Sequence, residues 1–154
     1  MSSTIHKSSV LTVSVDIADI GEGLSTGSKR IEPDGREYVL LLSGAGDIAN
    51  GNCITLDVVE TTATVMHVQQ ATVTESAIAI NNTGVLIPDG SYFWGITHGI
   101  GYVTFSAAES IGDALETANS GEVQSIALIT EHRLGYALET GGAAANHAVY
   151  IVIS

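Results

Sequence analysis

The stretch SYFWGITHGIGYVTF, Ser91 to Phe105, is dense in aromatic and β-branched side chains and broken by glycines at 95, 99 and 101. Such residues favour a pleated, half-buried backbone. The stretch reads as two strands, SYFWGIT (Ser91 to Thr97) and GYVTF (Gly101 to Phe105), paired as a hairpin or meander, with HGIG (His98 to Gly101) as the tight connection. In an alternating strand Tyr92 and Trp94 point to one side and Phe93 to the other. One face is then core and the other a candidate contact surface, because large aromatics are favoured anchors at protein contacts. Packing of all three inside the protomer is the competing reading.

The same pattern extends in both directions. Upstream, Pro88-Asp89-Gly90 is a turn signal that repeats Pro33-Asp34-Gly35. YVLLL (Tyr38 to Leu42) is a continuous apolar run between turns, expected to be a strand buried on both faces. Ile54, Leu56 and Val58 alternate with Thr55 and Asp57, and Leu11, Val13, Val15 and Ile17 alternate with Thr12, Ser14 and Asp16, so each series predicts a half-buried strand. GEGLSTGSKRIEPDG (Gly21 to Gly35) and SGAGDIANGN (Ser43 to Asn52) read as loops. Between Glu60 and Thr74 strand is favoured with a blurred pattern, and Glu75 to Asn82 is open between strand and a helical turn. Downstream, Val123 to Ile129, Leu134 to Glu139 and Ala148 to Ile153 are short strands separated by Gly, Asn and Ser clusters. About eight short strands with Gly-rich turns imply an all-β barrel or sandwich. No repeat or linker divides the 154 residues, a length that can bury roughly 70% of the unfolded surface in one domain.

Composition narrows the functional classes. Five Lys and Arg against seventeen Asp and Glu give a formal charge of −12, which opposes contact with phosphate backbones and makes nucleic acid an unexpected partner. Nothing in the sequence approaches a membrane span, and MSSTIHKSS at the start has no apolar signal-peptide core, so use without secretion is expected. The lone Cys53 has neither base nor cation beside it and reads as a small buried side chain.

A search for chemistry finds no constellation that outweighs a plain structural role. GAGDIANG (Gly44 to Gly51) lacks the Lys-Ser/Thr pair of a phosphate loop and precedes no helix pattern. His6, His67, His98, His132 and His147 are too widely spaced for a zinc or iron signature. Acidic pairs such as Asp16 with Asp19, Asp113 with Glu116 and Glu131 with Glu139 need burial to split their pKa values, and the sequence does not show burial. There is no nucleophile elbow and no EF-hand spacing. No catalytic residue, cofactor site or metal site is expected.

The order of features in SYFWGITHGIGYVTFSAAESIGDALETANSGEVQSIA and LGYALETGGAAANHAVYIVIS resembles the capsid decoration, or cement, proteins of tailed bacteriophages. The matching features are an aromatic strand ending in Gly (Tyr92 to Gly95), a β segment (Gly101 to Phe105), a Gly-Asp-Ala-Leu turn (Gly112 to Leu115), a Gly-Ala-Leu type strand (Gly135 to Glu139) and an apolar closing strand (Val149 to Ile153). REYVLLLSGAGDIANGNCITLDVV, Arg36 to Val59, resembles the opening of that module. The chain departs from it before Arg36 and around Glu60 to Asn82.

The resemblance implies a small, single-domain, β-tulip-like fold with Gly-rich turns and at most one or two short helices. It also implies a non-enzymatic protein made in the host cytoplasm and carried on the outer surface of the virion capsid. Its partners would be the major capsid protein and itself, as a homotrimer, with no nucleic acid and no membrane. The domain layout expected is a mobile tail over 1–9, a strand and loop over 10–35 as a possible capsid-binding arm, and a β-rich module over 36–154. Candidate interface residues are Leu11, Val13, Val15 and Ile17 in that arm, with Tyr92 and Trp94 in the module. A head fibre base or tail component, or a small β-barrel ligand binder or enzyme, are the alternatives.

Overall fold

The computed structural model describes residues 25–59, 61, 67–72, 75–126 and 133–153. The expected strand and arm at Leu11, Val13, Val15 and Ile17, and the expected tail over 1–9, lie outside the described residues. Among the described residues ten strands run in chain order: β1 (Lys29–Ile31), β2 (Glu37–Ser43), β3 (Cys53–Leu56), β4 (His67–Gln70), β5 (Ala79–Ile80), β6 (Tyr92–Thr104), β7 (Ala114–Thr117), β8 (Val123–Ser125), β9 (Gly135–Ala137) and β10 (Asn146–Val152). Among the described residues the helical element is a three-residue 3-10 turn, Asn119–Gly121, in which Ser120 takes φ 58°. The expected all-β class is thereby observed.

Hydrogen bonding orders the strands β1-β2-β4-β3-β5-β6-β10-β9-β7-β8, and an additional β2–β6 pairing closes β2, β4, β3, β5 and β6 into a five-stranded barrel. Closure leaves these strands without a free edge to template association. Most pairings are antiparallel, while β2 and β4 run parallel through Leu42↔His67 and Ser43↔Val68. The remaining strands continue from the far half of β6, with β10 antiparallel to it from Val152↔His98 to Asn146↔Thr104. A bridge between Phe105 and Val123 brings β8 back to the end of β6.

The main correction to the sequence reading lies in β6. SYFWGIT and GYVTF are not a hairpin; they form one 13-residue strand that passes through HGIG without turning. Its register against β2 slips between Tyr38↔Ile96 and Glu37↔His98, leaving Thr97 as an extra residue, a β-bulge. A bulge shifts the period of two by one residue, so inward positions change parity. Trp94 and Ile96 before it, and Val103 and Phe105 after it, accordingly belong to the same core. Gly99 just beyond takes φ 109°, a conformation that a side chain would strain. The HGIG glycines are strand residues, and at Gly101 an added Cβ would lie 2.7 Å from Ile151 Cδ1.

Two clusters fill the molecule. The larger joins Tyr38 and Leu40 of β2, Cys53 of β3, Ile80 of β5 and Trp94 and Ile96 of β6 to Leu115, Ala137, Val149 and Ile151 of the second half. The smaller lies on the opposite face of the same barrel strands and holds Leu41, Ile54, Val68, Ala79 and Phe93. The Tyr38 to Leu42 run therefore feeds both faces, as its unbroken apolar pattern implied. Ile48 and Ile87, from the two loops leaving β2 and β5, cover the smaller cluster through mutual backbone hydrogen bonds of 2.9 and 2.8 Å.

Two further expectations need correction. Val58 does not continue the buried series of Ile54, because β3 ends at Leu56 and Val58 is 77% exposed in the turn that follows. The expected loop from Gly21 to Gly35 contains β1, which pairs with β2 from Lys29↔Val39 to Ile31↔Glu37, so the sheet begins ahead of Arg36.

Candidate interaction surface

The bulge that turns Val103 inward turns the intervening residues outward. From Gly99 onward burial alternates strictly, with Ile100 and Tyr102 facing solvent and Gly99, Gly101 and Val103 facing the core. In register, Tyr150 stands opposite Ile100, Ala148 opposite Tyr102 and Val152 opposite His98, while Tyr136 of β9 stands opposite Tyr150. One sheet face thus presents Ile100 at 57%, Tyr102 at 55%, Tyr150 at 38% and Val152 at 37% exposure. Apolar and aromatic side chains sit side by side on this face, which makes it a candidate contact surface.

Polar groups border the patch in fixed pairs. Arg36 donates from Nε to Asp34 Oδ2 at 2.7 Å, its Nη2 lies 2.6 Å from the same oxygen, and its backbone N–H reaches Oδ1 at 3.1 Å. The guanidinium beside it holds the Asp34 carboxyl below its ordinary range, and the carboxylate raises Arg36 in turn. His98 Nε2 and the Tyr150 hydroxyl are 3.3 Å apart, with their rings edge to face at 5.5 Å. Arg133 donates to the Tyr136 hydroxyl at 2.7 Å while its guanidinium carbon lies 5.2 Å from the centre of that ring. Between the Asp34–Arg36 turn and the outer face of β6 and β10 runs an open groove of about 600 Å³.

Beyond this face, Glu139 accepts a 2.9 Å hydrogen bond from the Ala148 N–H and lies 3.2 Å from His147 Nδ1. The Ala148 N–H is the main cause that holds its carboxyl below the ordinary value, with His147 adding to it.

The residues picked out in the sequence fare unevenly. Trp94 is 3% exposed and packs in the larger core, and Phe93 is fully buried in the smaller one. Tyr92 is half-buried and packs against the larger core. Of this trio, therefore, Trp94 is interior and offers no surface to a partner. Cys53 is fully buried, and desolvation pushes its thiol up to about 12, consistent with an inert side chain. Asp113 accepts the Ser110 N–H at 2.8 Å, and Glu116 accepts from Gln124 Nε2 at 2.9 Å; each carboxylate has a local structural partner. Among the described residues no three His, Cys, Asp or Glu side chains converge in a metal-like group.

Ile100, Tyr102 and Tyr150 were not singled out from sequence. The available signal was the alternation of large side chains with glycine in GIGY, which marks a strand with one closely approached face. Reading those glycines as a turn concealed it.

No protein-family profile matches the chain, and no curated protein does. Among solved structures, the head fibre gp8.5 N base of bacteriophage phi29 matches with a TM-score of 0.60 at 12% sequence identity. The fold is shared with a phage head fibre base. The match covers 74% of this chain and 93% of that one, so it extends over nearly the whole of the phage domain.

Proposed function

We propose that this chain is a non-enzymatic structural protein of a phage head, carried on the outer capsid surface, where it clamps neighbouring subunits of the major capsid protein as a homotrimer. The observation that carries the reading is the fold shared with the phi29 head fibre base across 93% of that domain. Each small protomer adds modest contact across a capsid seam, and a trimer gains avidity because its second and third attachments are intramolecular. The formal charge of −12 keeps the free protein soluble and directs docking to apolar or complementary patches.

The decisive experiment mixes the purified chain with expanded empty heads assembled from the same viral genome. Saturable co-sedimentation, outer-surface density by electron cryomicroscopy and a raised melting temperature of the heads are expected. A monomer that leaves the heads unlabelled at tens of micromolar overturns the reading. The segment Leu11 to Ile17 is the proposed arm, which would add a strand to a capsid sheet edge. Deleting residues up to Ile17 should abolish head binding while leaving the melting temperature of the isolated domain unchanged, and unchanged binding removes the arm from the mechanism. A second reading, favoured by the identity of the structural neighbour, is that the chain is the base of a head fibre; density projecting well beyond the domain would select it.

A further inference from the structure

We propose that the groove between the Asp34–Arg36 turn and the outer face of β6 and β10 binds a neutral carbohydrate, with a sugar ring stacked on Tyr102 and Tyr150. The inference stands apart from the head-binding reading, because it rests on the chemistry of the groove alone. Its volume, about 600 Å³, lies within the 300–1,000 Å³ typical of small-ligand sites. Its apolar surface is supplied by Ile100 and by two tyrosines, each more than a third exposed. An aromatic ring carries negative charge on its face and positive charge on its edge. The polarised C–H groups on one face of a pyranose are attracted to such a ring face, and its hydroxyl edges then need fixed donors and acceptors.

The groove supplies those as pre-paired groups. Asp34 and Arg36 neutralise each other through contacts of 2.6 and 2.7 Å. A guanidinium has five N–H donors and a carboxylate several lone pairs, so both retain capacity for hydroxyls. The His98 and Tyr150 pair offers a second polar edge at 3.3 Å. An anionic ligand would have to compete with Asp34 for Arg36 and approach a chain of formal charge −12. A cation would have to compete with Arg36 for Asp34. A ligand with one apolar face, hydroxylated edges and no charge meets every group as it stands.

The site is also held in place before binding. A Cβ built on Gly99 would lie 2.7 Å from Arg36 Cγ and 3.2 Å from its Cα, so the Arg36 stem rests directly on this glycine of β6. Groups fixed in this way lose little freedom when a ligand arrives.

The test is saturation-transfer NMR on the full chain with maltotriose, cellotriose, triacetylchitotriose and mannotriose, and with sialyllactose as an anionic counterpart. At least one neutral trisaccharide should show transfer to its ring C–H protons with a Kd of about 1 mM or tighter. Tyr102→Ala and Tyr150→Ala should each weaken that binding about tenfold, Arg36→Ala should weaken it too, and Val58→Ser, in a turn outside the groove, should leave it unchanged. If Tyr150→Ala lowers the melting temperature through its lost His98 contact, Tyr150→Leu keeps the packing, removes the ring and should give the same loss. Absence of transfer from all four neutral sugars, transfer from sialyllactose alone, or equal binding by the tyrosine variants overturns the proposal. So does a concentration-dependent dimer that Tyr102→Ala and Tyr150→Ala abolish, which would assign the face to a second copy of the chain.

Discussion

At the scale of single residues, Gly99 has the most exacting environment on the candidate face. Its φ of 109° and the Arg36 backbone and stem against it leave no room for a side chain. Gly99→Ala should therefore destabilise the protein by about 2 kcal/mol or more, read as a lower midpoint in urea at unchanged slope. Glu139 gives a pH-dependent counterpart. Its folded pKa lies below the ordinary glutamate value of 4.5, so its bond to the Ala148 N–H stabilises above that value and is lost as pH falls through the depressed one. Glu139→Gln should melt lower than the parent at about pH 7, and the gap should close as pH is taken below the ordinary glutamate value. A gap independent of pH would show that packing, and not ionisation, sets the contribution.

At the scale of elements, β6 organises the molecule. It gives Tyr92 to His98 to β2 and His98 to Thr104 to β10, so the barrel and the second sheet are two halves of one strand. The loops that leave β2 and β5 are locked by Asn81, which is fully buried. Its Nδ2 donates to the carbonyls of Ile48 and Val85, both at 3.0 Å, and its Oδ1 accepts from the Thr83 N–H at 3.1 Å and hydroxyl at 2.6 Å. Removing a fully engaged buried amide strands several partners at once. Asn81→Ala should cost about 3 kcal/mol in urea denaturation, well beyond an ordinary surface substitution. Local pattern does not reveal this role, because Glu75 to Asn82 is open between strand and helical turns, and only the bridge between Ile48 and Ile87 joins the two loops around Asn81.

At the scale of the whole molecule, net charge opposes self-association. Seventeen acidic against five basic side chains repel a second copy. Repulsion between exposed charges is screened over about 10 Å at 0.1 M salt and over shorter distances at higher salt. The trimer proposed above should therefore become tighter as salt is raised, measured by sedimentation equilibrium. A trimer indifferent to ionic strength would place the carboxylates far from its axis.

The all-β class, the Tyr38 to Leu42 strand buried on both faces and the buried Cys53 were determined by local pattern and composition alone. Period, turn residues and charge act over a few neighbours, so a sequence carries them directly. The continuity of β6, the inward placement of Trp94 and the outward face of Ile100, Tyr102 and Tyr150 were decided only by tertiary structure. The physical reason is one residue. A glycine-rich HGIG can turn or run straight, and only the pairing of β6 with β2 and β10, with its bulge at Thr97, selects the second and fixes which side chains meet solvent.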